Sequence, residues 1–134
     1  MAVSDIWVVL VAGLAYMVLG AIWYSPVLFG RSWMAGIGKT AEQVKQEFKP
    51  ISYLWAFVGS VVAAYGIARI MASFGGGTIR DGVVIGLVAG VCFSGAAMYI
   101  NDTFEKRPCS LTFINGLFHL VGFVVMGIII GAWR

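Results

Sequence analysis

The sequence predicts an all-α integral membrane protein: a bundle of four transmembrane helices with a short interfacial helix in the first loop. Three observations carry this. Of 134 residues, 60% are hydrophobic and only 11% charged, whereas a soluble domain carries about 25% charged residues. The mean hydropathy is +0.93. Four nearly uncharged runs recur along the chain, each close to the ~20 residues that cross ~30 Å of hydrocarbon as a helix. So little charge cannot cover a globular surface, and the surplus apolar surface must face lipid. That excludes a soluble enzyme, a nucleic-acid-binding domain and a disordered tail. The lipid bilayer is the first partner.

The first span is residues 6–28, with no ionisable side chain other than tyrosine. No secretory leader is expected, because Met1 to Asp5 hold no Lys or Arg and the following run is too long for an h-region. Residues 40–49 of the first loop read as an interfacial helix. Thr40-Ala41-Glu42-Gln43 matches a capping box, and Val44 and Phe48 share a face among Glu42, Lys45, Glu47 and Lys49. Pro50 ends it. The second span, 53–74, holds one charge, Arg69, expected to snorkel to the interface or meet Asp81. Gly75-Gly76-Gly77 makes a turn, and Thr78-Ile79-Arg80-Asp81 is a second capping box opening the third span, 82–100. Ser110 is a candidate N-cap for the fourth, 111–133. All four form one membrane domain, 1–134. Trp7, Trp33 and Trp133 fall at span ends, where interfacial aromatics belong.

Net charge is +3, but position matters more than total in a membrane protein. The loops after spans one and three hold Arg31, Lys39, Lys45, Lys49, Lys106 and Arg107, against Arg69, Arg80 and Arg134 on the other side. This bias predicts cytoplasmic loops one and three and non-cytoplasmic termini.

Eighteen glycines need a reason, since glycine is costly in an isolated helix. Gly82, Gly86 and Gly90, followed by Ser94, form a small-xxx-small stripe; Gly127-Gly131 and Gly59-Ala63 are weaker versions. Such stripes serve packing within one bundle or an interface between subunits, and self-association is expected on either reading. An internal repeat also suggests itself. Gly20-Ala21 to Arg31 and Gly95-Ala96 to Lys106 share the pattern G-A-x-x-Y-x-x-x-x-F-x-[RK], at a constant offset of 75 residues. Two pseudo-repeated helix hairpins would follow.

Few polar residues lie inside the spans. His119 is the one histidine, and Asn115 precedes it by a turn, with Thr112, Gly122 and Met126 on the same stripe. A histidine in a membrane is costly without a partner and is a functional candidate by default; the plainer reading is a neutral imidazole hydrogen-bonded across helices. Tyr24, Tyr99, Asn101 and Asp102 reach a similar depth from two other spans, with His119 ~12 Å into the fourth. The expected polar cluster is therefore His119, Asn115, Tyr24, Tyr99, Asn101 and Asp102. It serves either to lock helices together or to hold a proton or ligand, since imidazole titrates near neutral pH. One histidine without nearby thiolates or carboxylates cannot make a tetrahedral metal site, so no metal is expected. Cys92 and Cys109 read as small, reduced core residues. No Walker loop, dinucleotide fingerprint, nucleophile elbow or HExxH motif occurs, so neither a cofactor nor an enzymatic activity is expected.

Trp23-Tyr24-Ser25-Pro26-Val27-Leu28-Phe29-Gly30, then Trp33-Met34, reads W-Y-S-P-x-L-F-G-x-x-W-M. This resembles the signature of a bacterial family of small four-helix membrane proteins, domain of unknown function 1761. Residues 101–119, with Phe104-Glu105-Lys106-Arg107 and Ile114-Asn115-Gly116-Leu117-Phe118-His119, resemble the family's end. The resemblance implies a four-helix fold in a bacterial inner membrane and brings no activity with it. Physically, Pro26 ends the helix while Trp23, Tyr24, Phe29 and Trp33 seat an aromatic collar, with Ser25 and Gly30 in the turn. The functional expectation is an oligomeric transporter- or channel-like protein handling a proton or a small or lipidic molecule. The competing expectation is an accessory subunit of a larger membrane complex. A membrane-embedded enzyme is weakest, for want of a nucleophile, metal or acid–base pair.

Overall fold

Four helices are long and apolar enough to cross a membrane: Asp5–Trp23, Pro50–Ser73, Ile79–Glu105 and Cys109–Trp133. They belong to a computed structural model that describes residues 3–75 and 77–133, with side chains described from residue 5 onward. In chain order the elements are α1 (Val3–Trp23), α2 (Gly30–Ile37), α3 (Ala41–Glu47), α4 (Pro50–Ser73), α5 (Ile79–Val88), a π-helical segment (Ala89–Gly95), α6 (Ala96–Glu105) and α7 (Cys109–Trp133). The described residues contain no strand. The third span is α5, the π segment and α6 run together.

Span ends differ from expectation for local reasons. The first helix stops at Trp23 rather than Leu28, because Pro26 has no N–H to continue the ladder and the Ser25 hydroxyl donates to the Ile22 carbonyl (2.7 Å). The second begins at Pro50, the first helical position, where a missing N–H costs nothing. The third runs past Ile100 to Glu105 and ends at Lys106, which takes the left-handed conformation at φ 56°. The fourth starts at Cys109, its first turn closed by the Pro108 carbonyl, so Ser110 lies inside the helix rather than capping it. Both expected capping boxes form, Thr40 with Gln43 and Thr78 with Asp81. Gly76 of the expected glycine turn lies outside the described residues. The α2 helix has no counterpart in the sequence reading; Gly38 closes it in a left-handed conformation at φ 71°.

α7 is the hub, packing on α1, α4, α5 and the π segment, with α2 across its beginning. Its buried residues Leu111, Ile114, Phe118, Gly122, Met126 and Ile130 recur every third or fourth position and form one inward stripe. Between α5 and α7 the glycines meet backbone to backbone. A Cβ at Gly82 would strike the Gly127 backbone, one at Gly86 would lie 2.7 Å from the Phe123 oxygen, and one at Gly131 would lie 2.5 Å from the Thr78 oxygen. At Gly90 the neighbour is Leu120 Cα, 2.7 Å away. Close approach replaces the hydrophobic drive that lipid does not supply. The Gly82-Gly86-Gly90 face is thus occupied within the chain, which corrects the reading that made it a subunit interface. Gly59 meets nothing within 4 Å, and the α1–α4 crossing instead uses Gly13, whose Cβ would lie 2.8 Å from Val61.

Three further expectations change. The repeat pattern diverges after its tyrosine: the first copy leaves the helix at Trp23, while the second stays helical to Glu105. Pro26 has Asn101 as its counterpart, which keeps its backbone N–H. Cys92 and Cys109 are free and exposed rather than core residues. The Asp81 carboxylate is taken by the Thr78 hydroxyl (2.6 Å) and backbone N–H groups; among the described residues it makes no ion pair with Arg69, which is exposed.

Candidate functional site

The W-Y-S-P-x-L-F-G segment builds a compact reversal from α1 into α2. Phe29 N–H donates to the Trp23 carbonyl (3.0 Å) and Gly30 N–H to the Ser25 carbonyl (2.9 Å), folding the chain back on itself. Gly30 is buried where a Cβ would lie 2.8 Å from the Ser25 carbonyl, so this position accepts only glycine without a shift. The aromatic side chains then stack inward. Trp23 lies 4.7 Å from Phe29 and Tyr24 lies 5.3 Å from both Trp33 and Phe118, centroid to centroid. The Trp23 indole N–H donates to the Ile114 carbonyl of α7 (3.0 Å). The expected collar is in effect a clamp that holds the end of α1 against α7.

That clamp delivers two tyrosines to the polar stripe of α7. The Tyr24 hydroxyl donates to Asn115 Oδ1 (2.7 Å). One turn deeper, the Tyr16 hydroxyl hydrogen-bonds Nδ1 of His119, a contact between two spans. With the phenol donating, the imidazole carries its proton on Nε2. The Tyr16 ring lies against Gly122, where any side chain would collide with it. Phe118 and Phe123 complete the surroundings of His119, at 5.2 and 6.0 Å between centroids. One turn nearer the start of α7 than Asn115, the Thr112 hydroxyl donates to Asp102 Oδ2 of α6 (2.6 Å), and the Asp102 Oδ1 lies 3.9 Å from Arg107 Nε.

Six residues were expected in one cluster, and the structure divides them. His119, Asn115 and Tyr24 come together, and Asp102 joins the same α7 stripe through Thr112. Asn101 is exposed, and Tyr99, 65% exposed, turns to the outer surface. There it lines a groove of about 290 Å³ with Gly90, Gly95, Cys109, Thr112 and Gly116. Only one face of α6 meets α7, so neighbouring residues on α6 cannot all reach it. Tyr16 was missed. It lies eight residues before Tyr24, two helical turns along the same face, and that spacing was the available signal. The π segment, Ala89–Gly95, also went unseen; its Gly90, Val91 and Gly95 line the groove. Among the described residues no group of three or more His, Cys, Asp or Glu side chains could hold a metal ion.

Neither the curated proteins nor the solved structures gave a match to this chain. A family model does match, over residues 7–131, nearly the whole length and including the aromatic clamp and the α7 stripe. The chain belongs to the family described as protein of unknown function (DUF1761).

Proposed function

We propose that this is a small transporter-like protein of the bacterial cytoplasmic membrane, without enzymatic activity, that binds and releases a proton at the Tyr16–His119 pair. One observation carries the reading: the chain's single histidine is half-buried within a span and shares a hydrogen bond with a phenol from another span. A structural lock could be built from asparagine or serine at lower desolvation cost; imidazole adds a group that gains and loses a proton near neutral pH. The test is proton uptake by the purified protein on a step from about pH 8 to about pH 5, read with a pH-sensitive dye. Wild type should take up one proton more than His119→Gln, which keeps a hydrogen-bonding group but cannot titrate, and the variant should retain its thermal stability. Equal uptake by the two proteins sinks the reading.

A second reading, an accessory subunit or self-associating protein, has its own support. Within the third span only 11% of the most apolar stretch is buried, against 33% in the fourth. Val84, Leu87, Val91 and Phe93 face outward there, a surface available to a partner helix as well as to lipid. A partner recovered by co-purification in mild detergent, and lost when Val91 and Phe93 are made polar, would favour it.

A further inference from the structure

The two halves of the bundle on either side of His119 differ in kind. Toward the 106–108 loop, α7 presents Asn115 and then Thr112, each met by a polar partner from another segment, Tyr24 and Asp102. These rungs lie about 6 and about 10 Å from His119 along the axis, at 1.5 Å per residue. The last of them, Asp102, faces Arg107 at the exposed end of α6. Toward Trp133 the bundle is dry. Met126 and Ile130 have no exposed surface and join Val9, Ala12, Ile67 and Met71 in one apolar cluster. There α5 closes on α7 backbone to backbone, at Gly82 and Gly86. Ser60 is the one buried polar side chain among the described residues, and its hydroxyl is committed to the carbonyls of Gly13 (3.1 Å) and Phe57 (2.7 Å).

We propose that His119 exchanges protons with one side of the membrane only, the side carrying α2, α3 and the 106–108 loop, by way of the Asn115–Tyr24 and Thr112–Asp102 rungs. This rests on reading Tyr16–His119 as a proton site. A proton moves between polar groups or ordered waters, and water occupies only sites that offer it polar partners. The apolar half interposes the closed cluster of Val9, Ala12, Ile67, Met71, Met126 and Ile130, and the hydroxyl of Ser60 is already committed to two carbonyls, with Asp5 only at the far end of α1. The titratable groups along this side are few: Tyr16 of α1 bonds His119 itself, Tyr24 bonds Asn115, and Asp102 of α6 bonds Thr112, with Arg107 of the following loop behind it, paired to Glu105 at 2.8 Å. Tyr53, Tyr65 and Arg69 of α4, Cys92 and Tyr99 of the third span, and Arg31 of α2 are all exposed on outer surfaces.

Because the chain holds a single histidine, isotopically labelled histidine reports His119 alone in solid-state NMR. The full-length protein is reconstituted in vesicles and the outer solution is moved from about pH 8 to about pH 5, across the imidazole range. An impermeant thiol reagent on Lys39→Cys, in a Cys92→Ser/Cys109→Ser background, measures the share of molecules with the α2–α3 side outward. The expected result is that this same share of the imidazole signal shifts, and that nigericin brings over the rest. A shift in the complementary share, or in the whole signal before nigericin, overturns the proposal. No shift even with nigericin means the imidazole does not titrate, which removes the proton site itself and this inference with it. Thr112→Val should slow the exchange about tenfold, as loss of one hydrogen-bonded step would; Asp102→Asn serves if that variant does not fold. An unchanged rate in the folded variant also overturns the path.

Discussion

Tyr16 and His119 are 103 residues apart in sequence and share one hydrogen bond, and much of the candidate site depends on that pairing. Replacing Tyr16 with Phe keeps the ring against Gly122 and beside Phe118, and removes only the hydroxyl. Interhelical hydrogen bonds of this kind contribute about 0.6–2 kcal/mol in membranes. Tyr16→Phe should therefore lower unfolding stability in detergent by that modest amount, measurable as a lower melting temperature with the fold retained. A loss several times larger would mean that the imidazole, left without its partner, reorganises its surroundings. The site was half legible at this scale. Asn115 and His119 announce themselves, because polar residues one turn apart in an apolar helix define a face. Tyr16 does not: a phenol is tolerable in lipid, and nothing within α1 reveals what it meets on α7. Asn101 and Tyr99 misled for the complementary reason, since depth along a helix says nothing of the direction in which a side chain leaves it.

Among the elements, the reversal at residues 24–29 is the most tightly specified. Its aromatic residues stack only if the chain turns back at Gly30, and the turn admits no Cβ there. Gly30→Ala should cost about 1–3 kcal/mol, as overpacking of a tight site does. It should also weaken the Tyr24–Asn115 contact, visible as increased fluorescence exposure of Trp23 and Trp33. A variant as stable as wild type would show that the reversal can yield. The four spans were readable because lipid demands about twenty apolar residues whatever the neighbours. The two capping boxes were readable because their chemistry is local. α2 and the π segment were not. α2 is only eight residues long and held by Leu111 packing against Gly36. The π segment differs from an α-helix by one extra residue in its ladder, which leaves no periodic trace.

For the molecule as a whole, the glycine seam and the charge distribution make separate demands. Gly86→Leu would force a side chain into the Phe123–Val124 backbone, separating α5 from α7. It should lower the melting temperature of the single chain, and native mass spectrometry should show its subunit count unchanged. A changed count with unchanged stability would restore the seam to a role between copies. The basic residues predict an orientation. Six of them, Arg31, Lys39, Lys45, Lys49, Lys106 and Arg107, lie on the side of α2, α3 and the 106–108 loop, against Arg69 and Arg80 among the described residues on the other. Short loops rich in Lys and Arg stay in the cytoplasm. The Asn115 and Thr112 rungs open toward that same basic side, so with the orientation the basic residues predict, the proposed proton site would answer to the cytoplasm. A reporter inserted near Lys39 should read cytoplasmic and one fused after Arg134 non-cytoplasmic. Neutralising Lys39, Lys45, Lys49 and Lys106 together removes the bias and should produce mixed orientation. The reverse pattern in the unaltered protein would turn the polar half of the bundle outward, and His119 would then answer to the external pH.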